Sequence, residues 1–385
     1  MKTHSLFAET FGTVPDVFSQ APGRLEILGN HTDYNEGYVL SMAVDRSTCI
    51  SLKKIEGDVC QISSPALSSD VVELALSDIN LAPAQKHWSC YVRGVIGELQ
   101  KRGFRVPAFQ ALITSSIPMS AGMSSSAALE MSLVTGLDLL CGFQLSDQVK
   151  ARIGQGTENN YIHANTGLMD QLSSVCCRQG NFLFSEYRDL ELMQIPFPDD
   201  LSFVVINSGV EHDLSEEYNE RREQCESAVE YLSKMDGSIT ALRDVDEETL
   251  LQHRDALEED VFRRALHVVQ ENARVQQASE LLRAGDIENF GALLSDSHKS
   301  SGVNFENSCA ELDAIVQVAE HSSYCYGARL SGGGFGGISI HLVKDENVEA
   351  YIKYAELELA DLFSDKPEIF VCKSANDAAA SLVRE

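Results

Sequence analysis

The chain has 385 residues, enough for two domains with a core each, and its 44% apolar and 23% charged residues are those of a soluble protein. Thirty Lys and Arg against 58 Asp and Glu leave a formal net charge of −28, which argues against nucleic acid or an anionic membrane surface as a partner. No run approaches the roughly 18 apolar residues of a membrane span, and Met1 to Thr10 lack the apolar stretch of a signal peptide. Ten cysteines without C-x-x-C spacing or a Cys/His cluster suit free thiols in a reducing cytoplasm and no permanent zinc site.

From the N-terminus, Val17 to Pro22 is extended, Leu25 to Leu28 is apolar, and Tyr38 to Val44 and Thr48 to Leu52 carry strand patterns. Between them lies Gly23 to Gly37, whose second half packs Asn30, His31, Thr32, Asp33, Tyr34 and Asn35 into one polar turn. Turn formation alone accounts for Asn, Asp and Gly there. An imidazole, a carboxylate and an amide within four residues also suit a ligand made of hydroxyls. A helix is expected around Trp88 to Leu99, then a strand over Ala108 to Thr114. Trp88, the sole tryptophan, is either a core residue or a flat ring for a nucleobase.

The strand feeds Pro118-Met-Ser-Ala-Gly-Met-Ser-Ser-Ser-Ala-Ala-Leu-Glu130, a Gly/Ser loop that opens a helix predicted to run to Cys141. A helix N-terminus offers unpaired N–H groups and a partial positive charge, so a phosphate can sit there without a lysine. The hydroxyls of Ser124, Ser125 and Ser126 can cap the helix, bond a phosphate or ligate Mg²⁺. Any anionic ligand of so acidic a chain needs such local compensation.

Further on, Asp170 stands in the apolar stretch Gly167-Leu-Met-Asp-Gln171, either as a helix cap or as a buried acid with a task. A hairpin from Asn181 to Leu192, a buried strand over Leu201 to Ser208, a charged amphipathic helix over Ser215 to Lys234 and a largely helical region over 238–295 follow. Gly327 to Gly337 formally contains G-x-G-x-x-G, at Gly332, Gly334 and Gly337. The next residues, Ile338 to Val343, alternate as a strand, so a dinucleotide fold is excluded and a close backbone approach is expected instead. There is no Gly-Lys-Ser/Thr P-loop and no His-Arg-Asp kinase loop.

Together and in order, Gly23–Tyr34, Pro118–Ala128 and Leu330–Gly337 resemble the three motifs of the GHMP small-molecule kinases, and the first is similar to the galactokinase signature. Trp88 to Val95, Gly167 to Gln171, Asn207 to His212, Glu217 to Cys225 and Arg264 to Asn272 add galactokinase-like segments across nearly the whole chain. The resemblance implies an α/β (α+β) fold of two lobes, 1–180 with the sugar signature and serine loop and 181–385 with the Gly-rich loop, and an active site in the cleft. It implies phosphorylation of the C1 hydroxyl of galactose by ATP and Mg²⁺. Asp170 and Arg24 would be catalytic. Gly122, Ser124, Ser125, Ser126, Gly333 and Gly334 would close on the nucleotide, Trp88 would lie against adenine, and Ser126 and Glu158 would ligate Mg²⁺. Asn30, His31, Asp33, Gly167 and Tyr218 would hold the sugar.

The chain departs from the family at Asn30, where galactokinases carry a glutamate that contacts the sugar's 6-hydroxyl, and at Thr166, where many relatives have Cys. Asparagine can donate and accept to a hydroxyl, and it removes a charge that would repel a carboxylate at C6. Galacturonate or N-acetylgalactosamine are therefore alternative substrates, and a non-catalytic sugar- and ATP-binding regulator is an alternative role. Oligomeric state is not legible.

Overall fold

In the computed structural model, which describes residues 2–79, 87–118, 122–164, 166–210, 215–363 and 366–383, the strand on which both halves are built is β1 (Val17–Leu28), preceded by α1 (Lys2–Phe11). Residues 119–121 of the serine loop and 211–212 of the 207–212 segment lie outside the described residues. The two extended pieces read on either side of Gly23 are one strand, which continues by shifting register against its neighbour between Pro22 and Arg24 and again between Glu26 and Leu28. Its last eight residues are all buried, because the chain packs on both of its faces.

One face meets the first lobe. β1 pairs with β2 (Tyr38–Lys54), a 17-residue strand that joins the two segments read separately. β3 (Val59–Ser63), β4 (Val72–Ala75) and β5 (Phe109–Ser115) extend this sheet, with only β3 and β5 parallel among its described pairs. α2 (Ser89–Lys101), α3 (Ser125–Cys141), α4 (Asp147–Thr157) and α5 (Met169–Cys176) cover it. α3 runs as far as its apolar pattern and stops where Gly142 turns left-handed, at φ 67°.

The hairpin of β6 (Asn181–Glu186) and β7 (Leu192–Pro196) pairs with the first half of β2. A division of the chain near residue 180 therefore cuts a sheet. The second sheet begins with β8 (Leu201–Asn207). Helices follow, α6 (Ser215–Met235), the short α7 (Glu247–Gln252), α8 (Glu259–Ala284), α9 (Ile287–Ser300) and α10 (Ala310–Glu320). β9 (Cys325–Ser331), β10 (Ile338–Lys344), α11 (Val348–Leu359) and β11 (Ile369–Cys372) complete the second lobe, whose sheet order is β11-β8-β10-β9. β12 (Ala379–Leu382) then returns to pair with β1.

The other face of β1 joins the lobes. Leu25 and Ile27 belong to one apolar cluster with Phe290 of α9 and Ile338 and Ile340 of β10, so the two halves share a core and the motif-bearing ends converge. α4 and α9 each run on into a π-helical turn, Glu158–Ile162 and Ser301–Phe305, closed by left-handed His163 and Glu306. Such turns re-aim side chains, and both deliver residues to the site. No helix among the described residues is long and apolar enough to cross a membrane.

α9 and β9 touch backbone to backbone: a Cβ on Gly327 would fall on the Gly291 carbonyl, and one on Gly291 on the Tyr326 carbonyl. Gly327→Ala is expected to cost about 2 kcal/mol by forcing the helix off the strand. Chemical denaturation checks this, and an unchanged midpoint would mean that the helix is free to move.

Candidate active site

The serine loop enters α3 through two left-handed residues, Gly122 (φ 66°) and Ser124 (φ 56°). Ser124 does not cap the helix with its side chain. Its hydroxyl donates instead to Asp170 Oδ2, which leaves the first-turn N–H groups of α3 facing a cavity and the positive end of the helix available to an anion.

Asp170 sits in the first turn of α5. Its Oδ1 accepts from Arg24 Nε and Nη2, both at 2.8 Å. Arg24 Nη1 donates to the Gly122 carbonyl at 2.6 Å. One guanidinium from β1 thus ties the loop before α3 to the acid of α5. The Arg24 side chain is 6% exposed and the Asp170 side chain 26%, so the carboxylate opens to the cavity while its partner is walled in.

Behind the loop, Ser126 Oγ donates to Glu158 Oε1 at 2.9 Å, and the Thr166 hydroxyl donates to Glu158 Oε2. Burial raises the Glu158 pKa first, and the Asp170 charge raises it further, so a cation between the two carboxylates would favour the ionised form of Glu158. A hydroxyl and a carboxylate are hard oxygen donors that fit Mg²⁺, which keeps most of its shell for water and phosphate. Consistent with so sparse a set, the described residues contain no group of three or more His, Cys, Asp or Glu placed to hold a metal alone.

The polar turn lies across the cavity. His31 is left-handed (φ 61°), with Nδ1 2.9 Å from the Tyr34 hydroxyl and Nε2 3.2 Å from the Gly333 carbonyl. Burial lowers its pKa to about 3, so the ring is neutral. Tyr218 and Phe305 pack on it, with centroids at 5.0 and 4.4 Å. A Cβ at Gly167 would collide with the Asp33 carboxyl, which explains the glycine. Burial, with the charges of Asp170 and Glu26, lifts Asp33 to about 6.

Asn30 is fully buried. Its Nδ2 donates to Glu26 Oε1 at 2.9 Å and to the Gly332 carbonyl at 2.8 Å, while its Oδ1 accepts from Asn307 Nδ2 at 2.8 Å. Its amide is therefore taken up by the protein, and it acts as a tie between the turn and the Gly-rich loop.

The cavity so formed is about 530 Å³. It is lined by Arg24, Asn30, His31, Asp33, Gly122, Ser124 to Ser126, Gly167, Asp170, Tyr218 and Gly333 from the sequence reading, with Glu26, Tyr91 and Thr166 in addition. Glu158 stands behind Ser126 and outside the lining. Gly334 packs against Asn307, where a Cβ would strike the backbone carbonyl. Trp88 also lies outside the lining: it is half-buried at the start of α2 against the first-lobe core, and its indole N–H is buried without a partner among the described residues.

Glu271 was not singled out by the sequence. On α8 it accepts from Gly29 N at 2.9 Å, Asn30 N at 3.3 Å and Ser297 Oγ at 2.7 Å. Its only sequence signal was the galactokinase-like segment around it.

Three family models match the chain: the galactokinase galactose-binding signature over residues 5–54, the GHMP kinase N-terminal domain over 90–178 and the GHMP kinase C-terminal domain over 278–355. A galactokinase of Roseiflexus sp. (strain RS-1) is 34% identical over 372 residues, covering 96% of this chain and 94% of its own. The chain belongs to the galactokinase family. The crystal structure of Lactococcus lactis galactokinase complexed with galactose superposes with a TM-score of 0.93 at 29% identity over 98% of both chains. Methanococcus jannaschii mevalonate kinase, at 19% identity and TM-score 0.68 over 94% of this chain and 99% of its own, shares the fold. The galactokinase signature covers β1, the polar turn and β2, so the family match falls on the elements that build this end of the cavity.

Asp33 also supplies a pH test. Its folded pKa stands above the ordinary value, so the penalty for burying the charge is absent below 3.8 and fully felt above about 6. Because the cavity wets the group, the penalty is on the order of 1 kcal/mol. Asp33→Asn, free of sugar, should unfold at a higher temperature than the parent at pH 8 and at the same temperature at pH 4. A gap that did not change with pH would show that Asp33 does not titrate in this range.

Proposed function

We propose that this cavity transfers the γ-phosphoryl group of ATP to the C1 hydroxyl of galactose, giving galactose 1-phosphate and ADP. The observation that carries the reading is the Asp170 carboxylate, held by Arg24 and Ser124 where the open end of α3 meets the polar turn. Phosphoryl transfer asks chiefly for alignment and for cancellation of charge on the phosphoryl oxygens. The α3 amides and the hydroxyls of Ser124 to Ser126 receive the phosphates, and Arg24 balances charge at the reacting end. Mg²⁺ would be held by Ser126 and Glu158, where it would neutralise phosphate oxygens.

At the sugar end, His31, Asp33, Tyr218 and the Gly167 backbone bind hydroxyls, and Gly333 closes the pocket. Asp170 accepts the C1 hydroxyl proton as the new O–P bond forms, and the proton leaves with the phosphorylated product's release to water. Adenine is assigned to Trp88, a flat and partly exposed ring at the start of α2. We place the protein in the cytoplasm, a reading supported by ten cysteines of which none forms a disulfide.

Asp170→Asn should leave galactose binding largely intact and lower kcat about a hundredfold or more, read by coupled ADP release and by calorimetric titration of the sugar. Turnover near the parent rate would remove Asp170 from the chemistry. Because Trp88 is the sole tryptophan, addition of Mg·ATP should change the intrinsic fluorescence. A spectrum indifferent to nucleotide would put adenine elsewhere.

A further inference from the structure

The carboxylate that this chain lacks at position 30, where Asn30 stands, is present in the same pocket on another residue. Arg24 and Glu26 both line the cavity, two positions apart on β1. Successive side chains alternate along a strand, so the two share a face and stand about 6.6 Å apart, roughly the width of one pyranose ring. Arg24 marks the reacting end through Asp170. Glu26 therefore stands about one ring further on, beside Asn30, whose Nδ2 donates to Glu26 Oε1 at 2.9 Å.

Arg329 Nη1 and Nη2 also donate to Oε1, each at 3.1 Å. All these side-chain bonds fall on one oxygen, which leaves Oε2 to the cavity that Glu26 lines. Arg329 is completely buried, and its other contacts are the carbonyls of Glu26 and Ile27. Burial pushes the Glu26 carboxyl up, while Arg329, Arg24 and the Asn30 bond pull it down; protonating it would take from Arg329 the one carboxylate that the cation bonds directly, so we take the pair as charged.

The remaining charge at this end has the same sign. Asp33 is the other acid of the lining at this end, Asp170 standing at the reacting end, and the His31 ring is neutral. Among the described lining residues the sugar end is thus rich in acceptors, and Arg24, the lining's arginine, is bonded to Asp170 at the reacting end.

We propose that Glu26 is the specificity determinant that restricts the site to hexoses uncharged at C6 and rejects uronic acids. Hydroxyl groups supply donors to Glu26 Oε2 and Asp33, whereas a C6 carboxylate would meet two like charges after losing its water. The exchange of glutamate for Asn30 does not open the pocket to uronates, because the charge stands on the neighbouring strand position.

The inference rests on the proposed sugar phosphorylation, and the assay separates the two. ADP release is measured with D-galactose, D-galacturonate and neutral D-galacturonamide, which has nearly the shape of the acid. The parent enzyme is expected to use galacturonate with kcat/KM roughly a hundredfold or more below galactose, and the amide at least about tenfold better than the acid. Glu26→Gln should raise the galacturonate-to-galactose ratio at least about tenfold. Glu26→Gln/Arg329→Gln serves the same purpose without a lone buried cation.

Parent activity on galacturonate within tenfold of galactose would overturn the proposal. So would equal rejection of acid and amide, or an unchanged ratio in a folded variant. Failure of the parent enzyme to phosphorylate galactose would instead strike the underlying reading and leave this one without a site.

Discussion

A guanidinium and a carboxylate 146 residues apart in sequence, Arg24 and Asp170, hold the active cavity together. The same arginine bonds the Gly122 carbonyl, so β1, the loop before α3 and the start of α5 are fixed to one another through three N–H groups. Taking such a pair out of water costs about as much as the attraction returns, so its value is not stability. It sets the acid, the open helix end and the sugar turn in one frame, and positioning is what phosphoryl transfer most requires.

The frame explains how a chain of net charge −28 can hold a nucleotide. Compensation is local and directional. On one side are the first-turn amides of α3, Arg24 and a Ser126–Glu158 pair suited to a divalent cation. On the other side are the acceptors Glu26 and Asp33 with a neutral His31. On the proposed function the phosphate end would attract anions and the sugar end hydroxyl donors, which would sort the two substrates by chemistry within one cavity.

The polar turn would not keep its shape unaided, since it includes left-handed His31 and Glu36. Its support comes from the second lobe. Burial pushes the Glu271 carboxyl up, but Arg274, Arg329 and His267 with the Gly29 N–H pull it well below the usual carboxylate range. That anion gathers the amides of Gly29 and Asn30. His267 Nε2 lies 3.1 Å from the Asn30 carbonyl, and Asn272 Oδ1 accepts from Tyr38 N. The shared apolar core around Leu25 and Ile27 keeps these helices against β1, so sugar recognition depends on both lobes although its signature lies wholly in the first.

Local spacing determined much of this protein. The alanine-rich helix after the serine loop, the strand that follows the Gly-rich loop and the long charged helix from Ser215 could each be read from periodicity, because a repeat of 3.6 or 2 residues acts over neighbours only. The motif set likewise marked Arg24, Ser126, Glu158 and Asp170 before any geometry was known. Only the tertiary structure decided which polar atoms remain available to a ligand. Asn30 read as a contact for a hydroxyl, yet Glu26, Gly332 and Asn307 take up its amide. Glu26 read as part of an apolar stretch and proved to line the cavity, and Glu271 was not singled out at all. A hydrogen bond is settled by whichever group arrives within 3 Å or so, and several of the groups that meet these residues come from more than 240 positions away, Gly332 and Asn307 to Asn30 and Gly29 to Glu271, beyond the reach of any local pattern.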